Sequence, residues 1–312
     1  MVSTSRYYFI CNPASNSGRL EKRWPDIKAE IEKYIDPDQF EYVFTKEPLH
    51  AVELSSQLVD EDFTHVISVG GDGIANEVVN GIMNSSSDLT FGMIPAGTSN
   101  DAHITHHFPN DPFEALPILF EDHVKRFGIG KITGDFGDEP QYFLDHADTG
   151  LAALAARSAK YGTKLFKGEW RYTFYALKNL VRFNKNKGRV IIDGEEYEGD
   201  FAVIAAGFGE DMSGYHLWPD NSNRAAGDFG ILLARGHSRF GLLKLMLAAE
   251  NGNHIGREGV DYLRGKKLEI HLEDPWPYQS EGEIFTDGSK DVIIEHIPKA
   301  LSIVTGPNNI VD

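Results

Sequence analysis

The fold is decided by the stretch Val66-Ile67-Ser68-Val69-Gly70-Gly71-Asp72-Gly73, followed by Ile74-Ala75-Asn76-Glu77-Val78-Val79-Asn80-Gly81-Ile82. The apolar run that ends at Gly70 predicts a short buried strand. The residues after the glycines predict a helix, because apolar side chains recur at the spacing of one helix face: Ile74, Val78, Val79 and Ile82. The stretch is therefore a strand, a tight loop and a helix.

The loop Gly70–Gly73 contains three glycines and one aspartate. Glycines leave the backbone N–H groups uncovered, so a phosphate can approach them and the helix N-terminus. A carboxylate beside a phosphate is repelled unless a cation lies between them, and Mg²⁺ bridges such groups. The loop favours a nucleotide and metal site, and the alternative is a tight strand-to-helix turn of an ordinary α/β fold.

The composition limits the class of protein. The chain has 312 residues, which predicts two domains, and its 41% hydrophobic content is typical of a globular protein. Its net charge of −17 argues against nucleic-acid binding. No apolar run is long enough for a transmembrane segment and no signal peptide is recognised, so a cytoplasmic location is expected. The single cysteine, Cys11, excludes a disulfide framework and is expected to be a buried thiol.

One segment carries the opposite charge. From Lys160 to Arg189 there are nine Lys or Arg residues and one acid, Glu169, with seven aromatic residues interleaved. Such a surface could contact an anionic membrane. The alternative is a solvated helix whose aromatic side chains face the core.

The first part of the chain alternates strands with helices, which predicts a parallel sheet covered on both faces. The first two strands are predicted over 6–12 and 40–45, and a helix is predicted over 50–59. Asn12, Thr45, the Gly70 loop and the Gly97 loop all lie at the carboxyl ends of predicted strands. Ligands of such sheets bind at the carboxyl ends of the strands. Four segments are therefore expected to converge on one site.

From about residue 128 the pattern changes to short β-rich runs, among them 142–147 and 278–285, with helical patterns at 151–183 and 239–249. This predicts a mainly antiparallel second domain, a sandwich or an open barrel. The final run Ala300–Thr305 is expected to return to the first domain. The predicted nucleotide-binding domain comprises residues 1–127 and 300–312. The predicted substrate domain comprises residues 128–299.

Three motifs carry a resemblance to a known family: Asn12-Pro13; Gly70-Gly71-Asp72-Gly73 with Asn76-Glu77 and Asn80-Gly81; and Pro95-Ala96-Gly97-Thr98-Ser99-Asn100-Asp101. In this order they resemble the diacylglycerol kinase catalytic family, which includes bacterial soluble diacylglycerol kinases and sphingosine and ceramide kinases. The resemblance implies an α/β fold, with an N-terminal Rossmann-like domain similar to NAD kinases and phosphofructokinases and a C-terminal β-sandwich domain. The Gly97-Thr98-x-Asn100-Asp101 element separates the lipid kinases from those two families.

The resemblance implies an ATP- and Mg²⁺-dependent lipid kinase, with diacylglycerol as the first choice of acceptor at the membrane surface; a homodimer stays open. It implies Glu283 as the general base and Asp72 as the residue for Mg²⁺. It also implies Asn100 and Asp101 as residues that fix the geometry of the Gly97 loop. It also implies a set of nucleotide-binding residues: Asn12, Thr45, Gly70, Gly71, Asp72, Gly73, Asn76, Glu77, Gly97, Thr98 and Asn100.

Two short patterns compete for the base. Asp193-Gly194-Glu195 lies between two β runs, where Asp-Gly is typical of a hairpin turn. Glu281-Gly282-Glu283 lies where the family places its base. If these residues are in a strand, Glu281 lies on the same face as Glu283 and its charge would raise the pKa of Glu283. The alternative is a pair of surface glutamates at a turn.

Several positions depart from the family pattern. Ile74 replaces a threonine, Gly128 an aspartate, Asp145 an asparagine, and Phe229 a metal-binding aspartate for which Asp228 is not expected to substitute. A further group, His103, His106 and His107, has helical metal-ligand spacing, but no nearby carboxylate completes a site. Two other readings therefore stay open: a catalytically weak nucleotide- or lipid-binding relative, and a kinase of another alcohol.

Overall fold

The structure is a computed structural model that describes residues 5–85, 87–97, 100, 102–103, 106, 108–121, 123–162, 169–209, 211–212, 215–218 and 227–306. The chain forms two compact units. Unit 1 comprises Met1–Gly128 and Lys299–Asp312, and unit 2 comprises Ile129–Pro298. The predicted domain boundaries lie within one residue of these divisions.

Unit 1 alternates strands and helices. Its strands are β1 (Tyr7–Cys11), β2 (Phe40–Phe44), β3 (His65–Gly70) and β4 (Thr90–Pro95). Its helices are α1 (Ser15–Ile31), α2 (His50–Gln57), α3 (Asp72–Ser85) and α4 (Pro112–Glu121). A short 3₁₀ helix, Leu58–Asp60, follows α2, so the predicted helix over 50–59 ends earlier than expected.

The strands of unit 1 pair in parallel. β1 lies between β2 and β3, and β4 lies on the other side of β3. The end of the last strand of the chain pairs with β4 through Ile303 and Phe91. The prediction that the final run returns to the first domain is therefore confirmed.

The core of unit 1 lies between the strands and the apolar helix faces. The central strand β3 is buried along its whole length. The face of α3 that the sequence predicts is buried as well, with Ile74, Val78, Val79 and Ile82 at most 4% exposed. Burying side chains of this size is the main favourable contribution to folding, at roughly 1.5–3 kcal/mol each.

Unit 2 is mainly β-structure. Its strands are β5 (Val124–Gly134), β6 (Gly137–Phe143), β7 (His146–Gly150), β8 (Asn186–Ile192), β9 (Glu195–Gly207), β10 (Asp211–Met212), β11 (Tyr215–His216), β12 (Phe229–Arg235), β13 (Val260–Gly265), β14 (Lys267–Ser280) and β15 (Glu283–Val304). Its helices are α5 (Leu151–Tyr161), α6 (Glu169–Leu180) and α7 (Arg239–Ala249). The first residues of β5 and the last of β15 belong to unit 1.

The strand pairs of unit 2 confirm the antiparallel prediction. β9 and β14 are long strands that each pair with β8 at one end and with β7 at the other. β12 lies between β9 and β13, and β14 continues into β15 through a hairpin. A large apolar cluster fills this unit, with side chains such as Phe201 and Ile204 from the strands and Leu242 from α7.

Three predicted elements differ from the structure. The helical pattern over 151–183 is two helices, α5 and α6, and residues 163–168 between them lie outside the described residues. The β run over 142–147 is broken between β6 and β7, and the run over 278–285 contains a turn. In the part of the chain that the structure describes, no helix combines the length and apolar character needed to cross a membrane.

Candidate functional site

The register of unit 1 brings four predicted segments to one edge of its sheet. Cys11 pairs with Phe44 and with Val69, and Gly70 pairs with Pro95. The next residues along these strands, Asn12, Thr45, Gly71 and Ala96, therefore leave the sheet at the same edge. Backbone hydrogen bonds fix them there: the N–H groups of Asn12, Thr45 and Ala96 donate to neighbouring strands at 2.7–3.0 Å.

The Gly70–Gly73 loop and the loop after β4 are in backbone contact. A Cβ atom built on Gly97 would lie 2.4 Å from the Cα atom of Gly71, and one built on Gly71 would lie 3.0 Å from the Cα atom of Gly97. No other residue type fits either position without moving the backbone. The glycines of both motifs are thus required by this contact, in addition to any role in exposing N–H groups.

Asp72 and Asn100 hold the second loop in place. An Asp72 carboxylate oxygen accepts a hydrogen bond from the Ala102 N–H at 2.9 Å. The Asn100 side chain accepts from the Gly97 N–H at 3.0 Å and donates to the Asn110 side chain at 2.5 Å. Asn100 is buried and has φ 58°, a conformation that asparagine tolerates better than most residues. These contacts fit the loop-fixing role that the resemblance implies for Asn100.

Ile74 packs beneath the first loop. Its side chain is buried, and a Cβ atom on Gly70 would lie 2.6 Å from the Ile74 Cγ2 atom and 2.8 Å from the Ser15 hydroxyl. The residue that replaces the family's threonine is therefore a core side chain supporting Gly70.

Two predicted nucleotide-binding residues hold helices together. The Glu77 carboxylate accepts a hydrogen bond from the Ala51 N–H at 3.2 Å, and so satisfies an unpaired donor in the first turn of α2. The Asn76 side chain and carbonyl accept hydrogen bonds from Asn80, one turn further along α3. The described contacts of Glu77 and Asn76 lie within the protein, so their role toward a nucleotide stays a prediction.

The segment after β1 carries a feature that the sequence analysis missed. Asn16, Ser17 and Gly18 have φ values of 51°, 61° and 79°, although they lie within the bounds of α1. Three consecutive left-handed residues cost about 1–3 kcal/mol for each non-glycine residue, and such strain clusters at functional sites. The signal in the sequence is the Asn-Ser-Gly composition, since these small polar residues tolerate this conformation.

The remaining predicted residues of unit 1 are Thr98, Asp101 and three histidines. Thr98 and Asp101 lie outside the described residues, as does His107. His103 is buried, both of its ring nitrogens lack a hydrogen-bond partner, and burial lowers its pKa to about 3. His106 packs against the ring of Phe127. Among the described residues, no cluster of three His, Cys, Asp or Glu side chains could hold a metal.

In unit 2, both competing short patterns are two-residue hairpin turns. Asp193 and Gly194 connect β8 to β9 with φ values of 48° and 94°. The Asp193 carboxylate accepts from the N–H groups of Lys266 and Lys267, so its predicted structural role is confirmed. Glu281 and Gly282 connect β14 to β15, with φ values of 50° and 82°.

The prediction that Glu281 and Glu283 share one strand face is therefore wrong. Ser280 pairs with Glu283 across the hairpin, and Glu281 lies in the turn between them. A left-handed turn residue does not follow the two-residue alternation of a strand, so the two side chains separate. The alternative prediction was two surface glutamates at a turn. The turn is present, but Glu281 is buried and does not lie at the surface.

Glu281 has an unusual environment. One carboxylate oxygen accepts from the backbone N–H groups of Leu144 and Asp145 at 2.5 and 2.9 Å. The other oxygen is buried and has no hydrogen-bond partner. Burial raises the pKa of Glu281 to about 7, because a buried site disfavours the charged form more than the two hydrogen bonds favour it. The nearby carboxylate of Asp145 adds to the rise, and His146 opposes it.

Gln279 holds the turn that carries Glu281. Its side-chain oxygen accepts from the Gly282 N–H at 2.6 Å, and its side-chain nitrogen donates to the carboxylate of Asp148. Burial raises the pKa of Asp148 to about 6. Asp145, where the family has asparagine, lies 3.1 Å from the His146 ring nitrogen. Buried polar groups surround the turn on the β7 side.

Glu283 differs from Glu281 in its surroundings. Its side chain is 51% exposed and forms an ion pair with Lys160 of α5, with 2.7 Å between the two charged atoms. The role of Glu283 as a base stays a prediction.

An apolar pocket lies in unit 2 next to this turn. Its cavity volume is about 130 Å³, and the pocket opens to solvent. Helices α5, α6 and α7 form one wall and strands β9, β12 and β13 contribute to the other. Gln279 and Gly282, two members of the turn region that carries Glu281, also line it. This pocket could not be predicted from the sequence, because its lining combines side chains from many separate segments of the chain.

Phe229, which stands where some family members have a metal-binding aspartate, is a core residue. Phe229 is fully buried and packs edge-on against Phe208. The neighbouring Asp228 forms an ion pair with Arg264 at 2.5 Å. These contacts give both residues a structural role.

Two family models match the chain. Residues 6–132 match the diacylglycerol kinase catalytic domain. Residues 146–305 match the YegS C-terminal NAD kinase beta sandwich-like domain, which alone covers 160 of the 312 residues. The second match shows that the chain belongs to the family of the YegS C-terminal NAD kinase beta sandwich-like domain, and the first shows a diacylglycerol kinase catalytic domain. The chain is therefore a kinase, a phosphotransferase. Its fold is a mixed α/β fold with a β-sandwich-like second part.

Named relatives cover most of the chain. A diacylglycerol kinase of Staphylococcus carnosus (strain TM300) is 26% identical over 278 residues, which are 89% of this chain and 88% of that protein. One of Staphylococcus haemolyticus (strain JCSC1435) is 25% identical over 274 residues, 88% of this chain and 81% of that protein. A solved diacylglycerol kinase from Bacillus anthracis str. Sterne has a TM-score of 0.72 at 19% identity over 97% of each chain, which shows the fold alone.

Proposed function

We propose that this protein transfers the γ-phosphate of ATP to the hydroxyl group of diacylglycerol, with Mg²⁺ beside the phosphates. The observation that carries the proposal is the apolar pocket of unit 2, because its lining includes the turn region that carries the buried carboxyl of Glu281. An apolar pocket next to a proton acceptor is what a kinase with a lipid acceptor requires. The relatives that are named diacylglycerol kinases support the choice of acceptor.

The proposal assigns the nucleotide to unit 1, as a Rossmann-like unit. Helix α3 begins at Asp72, so the backbone N–H groups at its N-terminus and its dipole favour an anionic phosphate. The backbone contact between Gly71 and Gly97 brings a second loop beside this helix end. Other residues proposed to contact the nucleotide follow from the motifs: Asn12, Thr45, Gly70, Gly73, Asn76, Thr98 and Asn100. Glu77 is left out of this set because its carboxylate caps α2.

Asp72 is the residue proposed to hold Mg²⁺. Mg²⁺ in kinases takes one or two carboxylates together with phosphate oxygens and water, and the described residues offer no cluster that would bind it without the nucleotide. A single carboxylate at the phosphate loop fits this ligand set. When bound, the ion neutralises charge on the phosphates. The contact from Asp72 to the Ala102 N–H orients the carboxylate for this task.

The chemical step moves one phosphoryl group and one proton. The lipid hydroxyl oxygen bonds to the γ-phosphorus, the bond from that phosphorus to the β,γ-bridging oxygen breaks, and ADP leaves. The hydroxyl proton passes to a carboxylate. We assign this role to the free oxygen of Glu281, whose pKa of about 7 lies near neutral pH. Glu283 is the alternative base that the sequence suggests.

The pocket favours a neutral, double-chain lipid. Its wall is formed by small and aliphatic side chains, among them Ala152, Ala155, Ala156, Leu242 and Leu245. The only titratable groups among its lining residues are two tyrosines and His254, and burial lowers the pKa of His254. A charged acceptor would lose its hydration there without a partner. An acceptor with apolar chains and a free hydroxyl avoids that cost.

The test is incubation with ATP labelled in its γ-phosphate, Mg²⁺, and separate acceptors: diacylglycerol, monoacylglycerol, sphingosine, ceramide and glycerol. The proposal expects label in diacylglycerol, and a strong loss of transfer in Asp72→Asn. ATP binding without transfer to any acceptor would indicate the catalytically weak relative. Transfer to glycerol but to no lipid would indicate the kinase of another alcohol.

A further inference from the structure

Helix α7 is apolar on two opposite faces. Its inner face lines the pocket of unit 2 with Leu242, Leu245, Met246 and Ala249. Its outer face carries Phe240 and Leu247, which are 65% and 58% exposed. A surface helix normally carries polar residues on its outer face, and a helix that is apolar all round is normally covered. The outer face of α7 therefore requires an explanation.

The outer face of α7 also carries a cation. Lys244 lies between Phe240 and Leu247 at the spacing i, i+4 and i+7, so the three side chains share one side of the helix. The Lys244 ammonium lies 4.6 Å from the centre of the Phe240 ring. Between Arg239 and Ala249 the helix contains no acidic residue.

The end of α6 repeats this combination. Leu177 and Val181 are 41% and 69% exposed and are one turn apart. Lys178 and Arg182 follow each of them directly and are exposed as well. Residues 170–192 contain six Lys or Arg residues and no Asp or Glu, in a chain whose net charge is −17.

A side-chain contact joins the end of α6 to the start of α7. Arg239 at the start of α7 donates from its guanidinium to the Phe183 carbonyl at 2.9 Å and to the Asn184 side chain at 3.2 Å. These contacts bind the segment after α6 to the start of α7. The inner faces of both helices line the same pocket, so their outer faces point away from it. We call these outer faces together the α6–α7 face: Leu177, Lys178, Val181, Arg182, Phe240, Lys244 and Leu247.

Exposed apolar side chains flanked by cations are the pattern of a surface that lies on an anionic bilayer. Each Lys or Arg near an anionic surface is attracted by it, and apolar side chains insert at the level of the head groups. A second copy of the chain is a poorer fit, because it would bring the same cations to the contact. A strongly acidic protein also needs a local cationic face, since its net charge is repelled by anionic lipid.

We propose that the α6–α7 face docks on an anionic lipid bilayer. This rests on the proposed function, because it places the pocket that receives the lipid directly behind the two helices that contact the bilayer. It also identifies which residues make the contact. The cations give the attraction to the surface, and Phe240 and Leu247, with Leu177 and Val181, give the insertion.

The test measures binding of the full chain to phosphatidylcholine vesicles with and without phosphatidylglycerol, by sedimentation. Two paired variants remove one contribution each: Lys178→Glu with Lys244→Glu, and Phe240→Ser with Leu247→Ser. Losing one cation costs about five-fold in binding, so the first pair is expected to weaken binding to anionic vesicles by about 25-fold or more. The second pair, Phe240→Ser with Leu247→Ser, is expected to weaken binding to both kinds of vesicle. High salt is expected to reduce binding of the wild type only to vesicles that contain phosphatidylglycerol.

Matched controls lie in unit 1. Lys22→Glu with Lys33→Glu changes the net charge by the same amount, and Val59→Ser with Val124→Ser removes two exposed apolar side chains. Both control pairs are expected to bind like the wild type. Thermal unfolding checks that all variants fold, which is expected because the changed side chains are exposed.

A short-chain diacylglycerol dissolved as single molecules separates docking from catalysis. All docking variants are expected to phosphorylate it at the wild-type rate. If they bind anionic vesicles as tightly as the wild type, the docking proposal is overturned while the proposed function stands. If the wild type transfers phosphate to no acceptor but vesicle binding depends on this face, the proposed function fails and docking stands. A wild-type dimer that Phe240→Ser with Leu247→Ser dissociates, with vesicle binding unchanged, would assign the face to a second copy and overturn docking.

Discussion

Gly71 and Gly97 lie so close that a Cβ atom on Gly97 would be 2.4 Å from the Cα atom of Gly71. This contact joins the loop before α3 to the loop after β4. The second loop is held further by the Asp72 contact to Ala102 and by the Asn100 contact to Gly97. The proposed phosphate-binding surface of unit 1 is thus one connected backbone arrangement, and a change at either glycine should disturb both loops.

Gly97→Ala is expected to weaken ATP binding at least ten-fold, because its methyl group forces the two loops apart. The measurement is the ATP dissociation constant by calorimetry. Gly288→Ala is the control, since that glycine also has an ordinary φ and its Cβ atom would lie 3.3 Å from Pro275 in unit 2. Unchanged ATP affinity in Gly97→Ala would show that the loop contact is not needed for the nucleotide.

Glu77→Ala is expected to lower stability and leave the ATP affinity unchanged. The Glu77 carboxylate caps α2 through the Ala51 N–H, and losing a cap costs about 0.5–2 kcal/mol. Urea unfolding gives the change in the free energy of unfolding. Glu53→Ala, in the first turn of the same helix, is the matched control for removing a carboxylate there. A ten-fold loss of ATP affinity in Glu77→Ala, at normal stability, would instead support the sequence prediction that Glu77 binds the nucleotide.

Filling the apolar pocket is expected to exclude the lipid without affecting the nucleotide. Ala155 and Ala156 line the pocket wall, so Ala155→Phe should raise the KM for long-chain diacylglycerol at least ten-fold. The KM for ATP and the rate with glycerol, if any, should stay as in the wild type. Ala248→Phe offers a control on α7, at a buried position that does not line the pocket. An unchanged KM for diacylglycerol in a folded Ala155→Phe protein would remove the pocket from the acceptor site.

The contributions of Glu281 and Asp148 to stability are expected to fall as pH rises from about 5 to 8. The pKa of Glu281 is raised from 4.5 to about 7, and that of Asp148 from 3.8 to about 6, both mainly by burial. A raised folded-state pKa means that the folded chain binds the proton more tightly than the unfolded chain. The resulting stability is fully present below pH 4 and is lost as pH rises through the folded values. For Glu281 alone the loss is at most about 3 kcal/mol, at about 1.4 kcal/mol per pKa unit.

Urea unfolding at a series of pH values measures this dependence. Glu281→Gln should lack the Glu281 part of this decrease, because its side chain does not titrate, so the difference in unfolding free energy between variant and wild type should change with pH. Glu283→Gln is the matched control and should keep the wild-type slope. Equal slopes for all three proteins would contradict the buried, protonated state of Glu281 near neutral pH.

The sequence predicts the parts of this structure that depend on local periodicity. The buried face of α3 and the convergence of Asn12, Thr45 and the two glycine loops follow from strand ends and helix spacing. The contact from Glu77 to α2 could not be predicted from the sequence, because the partner Ala51 lies in a separate helix. That contact depends on how two helices pack, which spacing within one helix does not reveal. The role of Glu77 toward the nucleotide stays a prediction.

The candidate general base shows even more clearly what a local sequence pattern cannot predict. Glu283 and Glu281 are two positions apart in sequence. The turn at Glu281 and Gly282 places the Glu281 side chain in the interior and leaves that of Glu283 exposed. The partners of Glu281 are the N–H groups of Leu144 and Asp145, which lie far away in sequence. Burial of a carboxyl is set by such distant contacts, so the raised pKa could not be predicted from the local pattern.

The most direct measurement of the central claim is the rate of phosphate transfer from labelled ATP to diacylglycerol by Glu281→Gln and Glu283→Gln. If Glu281 takes the hydroxyl proton, its variant loses about 10²–10⁴-fold in kcat with unchanged ATP affinity, while Glu283→Gln stays within a few-fold of the wild type. In the wild type, kcat/KM should also rise with pH through about 7. Full activity in Glu281→Gln, with loss of transfer in Glu283→Gln, would contradict the account and restore Glu283 as the base.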